Sequence, residues 1–99
     1  MSNYQRVVLH WLEPTEGGRE VLPTGLQYST VSRFEDTAML WPKEAWSLVV
    51  EFEEMPRRGV QTLARARFLS PEAPAHLLKS GNRFELLEGD RVVARGQIL

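Results

Sequence analysis

The sequence predicts an all-β domain closed into a barrel, and three observations carry that expectation. Two runs, Leu48 to Glu53 and Val60 to Phe68, alternate apolar and polar residues with a period of two. Turn residues recur at intervals of roughly ten to twenty, as in small all-β domains, and no stretch shows convincing helical periodicity. A last alternating run continues to Leu99, which suggests a closing strand; closure removes the unpaired edges that invite aggregation.

The first strand is expected over Gln5 to Glu13, with Val7, Leu9 and Trp11 on one face and Val8, His10 and Leu12 on the other. It ends at Pro14. Glu16-Gly17-Gly18-Arg19 then supplies a turn in which glycine takes positive φ without steric cost. Residues 21–34 are poorly patterned and read as one loop followed by a strand around Gln27 to Phe34. Thr37 to Trp41 reads as a short strand stopped by Pro42, with Lys43-Glu44-Ala45 as its turn.

From Trp46 the pattern is clear. Leu48, Val50 and Phe52 alternate with Val49, Glu51 and Glu53; beyond the Pro56-Arg57-Arg58-Gly59 turn, Val60, Thr62, Ala64, Ala66 and Phe68 alternate with Gln61, Leu63, Arg65 and Arg67. Pairing even positions with even keeps both apolar sets inside and puts Glu51 and Glu53 on the same outer face as Arg65 and Arg67. Ion pairs across the hairpin follow. Ser70-Pro71-Glu72-Ala73-Pro74 breaks the strand, and Ala75 to Lys79 fits one helical turn before Ser80-Gly81. The chain finishes in a hairpin over Asn82 to Gly96. Phe84 and Leu86 are expected to face Val92, Ala94 and Ile98 in its core, and Gly89 gives the tight turn its freedom.

Ninety-nine residues make a single domain, 1–99, large enough for one core without staples. There is no cysteine, which removes disulfides, zinc knuckles and thiol nucleophiles and makes the cytoplasm the expected location. The longest aliphatic runs, such as Val7-Val8-Leu9 and Leu48-Val49-Val50, are too short for a signal peptide or a membrane span. Net charge is −1, but it is unevenly spread: residues 1–54 hold four Arg/Lys against nine Asp/Glu, residues 55–99 eight against four. A barrel can turn that asymmetry into oppositely charged faces that orient a partner.

Three segments, taken in order, resemble the third, C-terminal β-barrel domain of elongation factor Tu and related translation GTPases. The first is the opening strand followed by Glu16-Gly17-Gly18-Arg19. The second is Met55-Pro56 with Val60 and a strand ending Phe68-Leu69-Ser70-Pro71. The third is Gly81, Arg83, Phe84, Glu88, Gly89, Val92 and Gly96. The resemblance implies a closed six-stranded antiparallel Greek-key barrel, here with one longer hairpin over Trp46 to Glu54. In that family the barrel shares in binding the T-arm of aminoacyl-tRNA and a nucleotide-exchange partner. Of the positions that touch tRNA, Glu88 and Gly89 carry over, whereas Leu87 stands where a basic residue is usual and Gly25-Leu26-Gln27-Tyr28-Ser29 lacks the family's Pro-Gln pair.

Chemistry is sparse. The chain contains no Gly-Lys pair, so the phosphate cradle of a GTPase is missing and no nucleotide is expected. His10 and His76 sit in unrelated contexts, and with Asp36 and Asp90 as the aspartates neither a metal cluster nor a Ser-His-Asp set has support. Strand geometry sends Glu51 and Glu53 outward into water. The expectation is therefore a non-catalytic module without metal or cofactor. Trp41 and Trp46, flanking a turn where burying both would be awkward, join the Arg65 and Arg67 row as candidates for contact with another protein. The alternative is contact with tRNA or rRNA through the basic C-terminal half, using Arg83, Arg91 and Arg95 beside Glu88 and Gly89.

Overall fold

The structure, a computed structural model, describes residues 4–41, 43 and 45–99. Among them six strands form: β1 Gln5–Trp11, β2 Gln27–Phe34, β3 Trp46–Phe52, β4 Thr62–Phe68, β5 Arg83–Glu88 and β6 Arg91–Ile98. They pair antiparallel in the order β1-β4-β3-β2-β5-β6, and β6 returns to β1 to close the barrel. β2, β3 and β4 form a meander, and β5 crosses back to lie beside β2, which is a Greek-key connection.

Side-chain alternation explains the closure. Val7, Leu9 and Trp11 from β1, Leu48 and Val50 from β3, and Ala64 and Ala66 from β4 all point inward and are buried. Ala64 and Ala66 share one core with the larger Trp11, Phe34 and Phe84. The parity expected for β3 and β4 holds: Leu48 pairs with Phe68, Val50 with Ala66 and Phe52 with Ala64, so Glu51 lies directly opposite Arg65. Leu77, on the 3₁₀ turn Ala75–Leu78, plugs one end of the cylinder and is held by Asn82, whose Nδ2 donates to the Leu77 carbonyl at 2.7 Å.

Four expectations are corrected. Thr37 to Trp41 is not a strand: Glu35–Leu40 forms a 3₁₀ segment, kinked at Thr37, and the Trp41 N–H donates to the Ala38 carbonyl. The reason is topological, because β2 pairs directly with β3 and β5 and leaves no edge for another strand. Of the turn expected after it, Pro42 and Glu44 lie outside the described residues.

Val92 is not a core residue. The ladder slips between Leu86 and Leu87, with Leu86 opposite Ala94 but Leu87 opposite Val92, so Val93 is an extra residue that turns inward and is buried in its place. Leu12, expected on the outer face, is buried because the chain turns back across it: its N–H donates to the Val93 carbonyl at 3.0 Å. Finally, Val60 is not an inward member of the second alternating run: β4 begins at Thr62, and Val60 lies exposed in the connection before it.

Candidate functional site

On the outer face of β1, β4 and β3, one row of side chains crosses three strands and reaches β2. Arg6 stands opposite Arg65, Arg65 opposite Glu51, and Glu51 opposite Gln27. Two arginines side by side would repel, and the row resolves this with carboxylates. Arg65 pairs with Glu51 at 2.8 Å, while Arg6 reaches diagonally to Glu53 at 3.1 Å. Tyr4 sits over the row: its hydroxyl donates to Glu51 at 2.8 Å and accepts from Arg67 Nε at 3.1 Å. The guanidinium carbons of Arg65 and Arg67 lie 5.2 Å and 5.5 Å from its ring centroid. The hydrogen bond from Tyr4, joined by those from Gln27 and Arg65, holds the Glu51 carboxyl below its ordinary range.

Two open grooves flank this stack. One, about 640 Å³, is lined by Tyr4, Arg67, Leu69, Pro71 and Leu78 among others. The other, about 580 Å³, is lined by Leu26, Gln27, Glu51, Phe52 and Arg65. Each carries a protruding apolar side chain, Leu69 at 57% exposure and Leu26 at 83%.

The tryptophans do not join the arginine row. Trp46 begins β3 on the inward parity and packs, half-buried, against the core. Trp41, also half-buried, lies over Arg33 of β2, with the guanidinium carbon 5.5 Å from its ring. β3 separates Arg33 on β2 from Arg65 and Arg67 on β4. Of the four protein-contact candidates, the structure therefore brings together the two arginines.

At the other end of the barrel the two turn motifs singled out in the sequence meet. Gly17 takes φ 98° and Gly18 passes so close to the Leu12 carbonyl that a Cβ there would lie 1.9 Å from its oxygen. Arg19 is thereby aimed at Glu88, with which it forms an ion pair, and Glu88 also accepts from the Tyr28 hydroxyl. Arg58 ties the turn down by donating to the Leu12 and Arg19 carbonyls. Arg91 stands 3.8 Å from the second Glu88 oxygen, and Gly89 makes the turn with φ 66°.

Burial, followed by the bond to the Glu88 carboxylate, pushes the Tyr28 phenol up to about 12. Partial burial pushes the Glu88 carboxyl upward, but the hydrogen bonds from Tyr28 and Arg19 outweigh it and hold the group below its ordinary range. The hydrogen bond to Glu88 raises Arg19 further. Glu88 and Arg91, expected to face nucleic acid, are thus engaged within the molecule.

Arg83 and Arg95 lie elsewhere on the β5–β6 face, Arg83 at the start of β5 and Arg95 within β6. Glu85 is opposite Arg95 and pairs with Arg33, accepting from its Nε at 2.8 Å and standing 3.7 Å from Arg95 Nε. The Arg83 guanidinium makes no ion pair among the described residues. His10 is exposed on β1 and His76 is exposed on the 3₁₀ turn. Among the described residues no group of three His, Cys, Asp or Glu is placed to hold a metal, and no helix is long and apolar enough to cross a membrane.

Sequence reasoning missed Tyr4, Arg6, Arg33 and Glu85. Arg6 carried a usable signal, since β1 alternation puts it outward. The partners of Arg33 and Glu85 depend on β2 lying beside β5, which no local pattern announces. Compared with known proteins, the chain matches no family model and no curated protein.

Proposed function

We propose that this domain is a non-catalytic binding module that engages another protein through the β1–β4–β3 face, acting in the cytoplasm as its lack of cysteine suggests. The observation that carries the reading is the pair of grooves on either side of the Tyr4–Arg65–Arg67 stack, each pairing an arginine with a protruding leucine. Arginine and aromatic anchors beside apolar pockets are the features that concentrate binding energy at protein interfaces. The resemblance of the Glu16-Gly17-Gly18-Arg19 and Glu88-Gly89 turns to the third domain of elongation factor Tu is in keeping with a barrel that works by its exterior.

The alternative, contact with tRNA or rRNA through Arg83, Arg91 and Arg95, has less support. Arg91 shares the hairpin tip with Glu88 and Gly89, where Glu88 is already engaged with Arg19 and Tyr28, while Arg83 and Arg95 lie apart from it on the β5–β6 face.

The test is site-specific photo-cross-linking in cells, with the reactive group at Leu26 or Leu69 and at exposed Glu20 as the control. An adduct of one defined mass at 26 and 69, lost in Arg65→Glu/Arg67→Glu with the fold intact by circular dichroism, is the expected result. Equal labelling at Glu20, or an adduct indifferent to the double substitution, rejects this face.

A further inference from the structure

On the far side of β1 from the arginine stack, a shallow concavity of about 160 Å³ is lined by Val8, His10, Gln61, Arg83, Arg95 and Gln97, with Gly96 at its floor. Its lining is chemically one-sided: two guanidinium groups, one imidazole and two carboxamides, and no carboxylate. The barrel's register builds it. Val8, Gln97 and Arg83 stand in one row across β1, β6 and β5, and His10 and Arg95 stand side by side in the next. Gln61, just before β4, borders His10 from the other side, because Thr62 pairs with Leu9.

Gly96 has no side chain for a reason internal to the barrel: a Cβ there would lie 2.3 Å from the Phe84 ring and 2.9 Å from Leu9. The charged donors around it are at most loosely engaged, although both also border the neighbouring groove that holds Glu35 and Glu85. Arg83 makes no ion pair among the described residues, and Arg95 has only Glu85, at 3.7 Å, while Glu85 itself is held by Arg33 at 2.5 Å. Guanidinium groups present planar pairs of N–H donors that match phosphate oxygens, and such charge-assisted bonds are about twice as strong as neutral ones.

We propose that this concavity binds the phosphate group of a phosphate monoester, with Arg83 and Arg95 as the charged donors and His10, Gln61 and Gln97 completing the ring. A single terminal phosphate fits better than a polyanionic backbone. The patch has two arginines where tight backbone binding uses roughly six to ten phosphate contacts. The adjoining groove beyond Arg95, lined by Arg33, Glu35 and Glu85, also places two carboxylates in the path of an extended strand. This site lies apart from the face proposed above, and either can fail without the other.

The test is an NMR titration of the whole chain with inorganic phosphate at constant ionic strength, chloride replacing phosphate in the control. Saturable shifts of the Arg83 and Arg95 Nε–H signals and the Gly96 and Gln97 amides are expected. Arg83→Gln or Arg95→Gln should weaken binding about tenfold, while Arg57→Gln, an exposed arginine outside the patch, should leave it unchanged. Dispersion of the spectrum reports that each variant is folded. A sugar phosphate and a phosphoserine peptide, each against its unphosphorylated form, then identify the carrier. Linear, unsaturable shifts, or equal loss in Arg57→Gln, overturn the proposal. So does displacement of phosphate by single-stranded RNA that depends on Arg91 as strongly as on Arg83.

Discussion

Glu88 is where the molecule concentrates its electrostatics, and its behaviour can be read from its neighbours. It takes an ion pair from Arg19 and a hydrogen bond from Tyr28, all partly screened from water. The Tyr28 pKa is raised above its ordinary value of about 10, so the stability this phenol contributes is complete below pH ~10 and is lost as pH climbs towards its folded value. Absorbance at the phenolate band should therefore show one tyrosine ionising near 12, and Tyr28→Phe should remove that step. The Glu88 carboxyl is shifted the other way, so its contribution is complete above the ordinary carboxylate pKa of about 4.3 and fades as pH falls through the lowered folded value. Glu88→Gln keeps the shape but removes the charge. Thermal melts at neutral pH should show a loss of about 1–2 kcal/mol, shrinking under acid conditions where wild-type Glu88 is itself protonated.

At the scale of elements, the strands that alternate strictly were legible and the irregular ones were not. β3, β4 and the turn over Ala75–Leu78 fall where residue spacing puts them, because alternation and proline positions are local signals. The slip in β6 was invisible, since Arg91-Val92-Val93-Ala94 offers two adjacent valines and either could face inward. Val93→Ala should cost about 2 kcal/mol in denaturant unfolding, and Val92→Ala clearly less; equal costs would contradict the bulge. Two glycines provide a second comparison. At Gly18 an added Cβ meets backbone, which cannot yield, so Gly18→Ala should cost about 3 kcal/mol or more. At Gly96 it meets the Phe84 ring and Leu9, which can shift, and Gly96→Ala should cost about 1–3 kcal/mol. Chemical denaturation of the two variants tests the ranking.

For the whole molecule, the barrel was expected and is observed, including the meeting of first and last strands. The candidate site was legible only in part. The Glu51–Arg65 contact follows from parity within one hairpin, but Tyr4 and Arg6 enter it because β4 turns away to pair with β1, a decision made by the topology rather than by local spacing. Likewise Arg19 and Glu88, 69 positions apart, become partners only once the barrel is shut. Each strand is flanked by two others, so none has a free edge from which exchange can begin. Hydrogen exchange should accordingly show slow amides in all six strands with similar protection, and faster exchange over 53–61; two strands exchanging well ahead of the rest would indicate an open sheet.

The β1–β6 seam has a mechanical corollary. Gln5 opens β1 and Ile98 closes β6 at the same rim, the strands run in opposite directions, and the Leu99 N–H donates to the Arg6 carbonyl at 2.9 Å. A force drawing these two points apart loads the seam one rung at a time, as a zip is opened, instead of shearing every rung together. A tether fixed at that rim would meet little resistance, while a grip across the barrel wall would meet the full ladder.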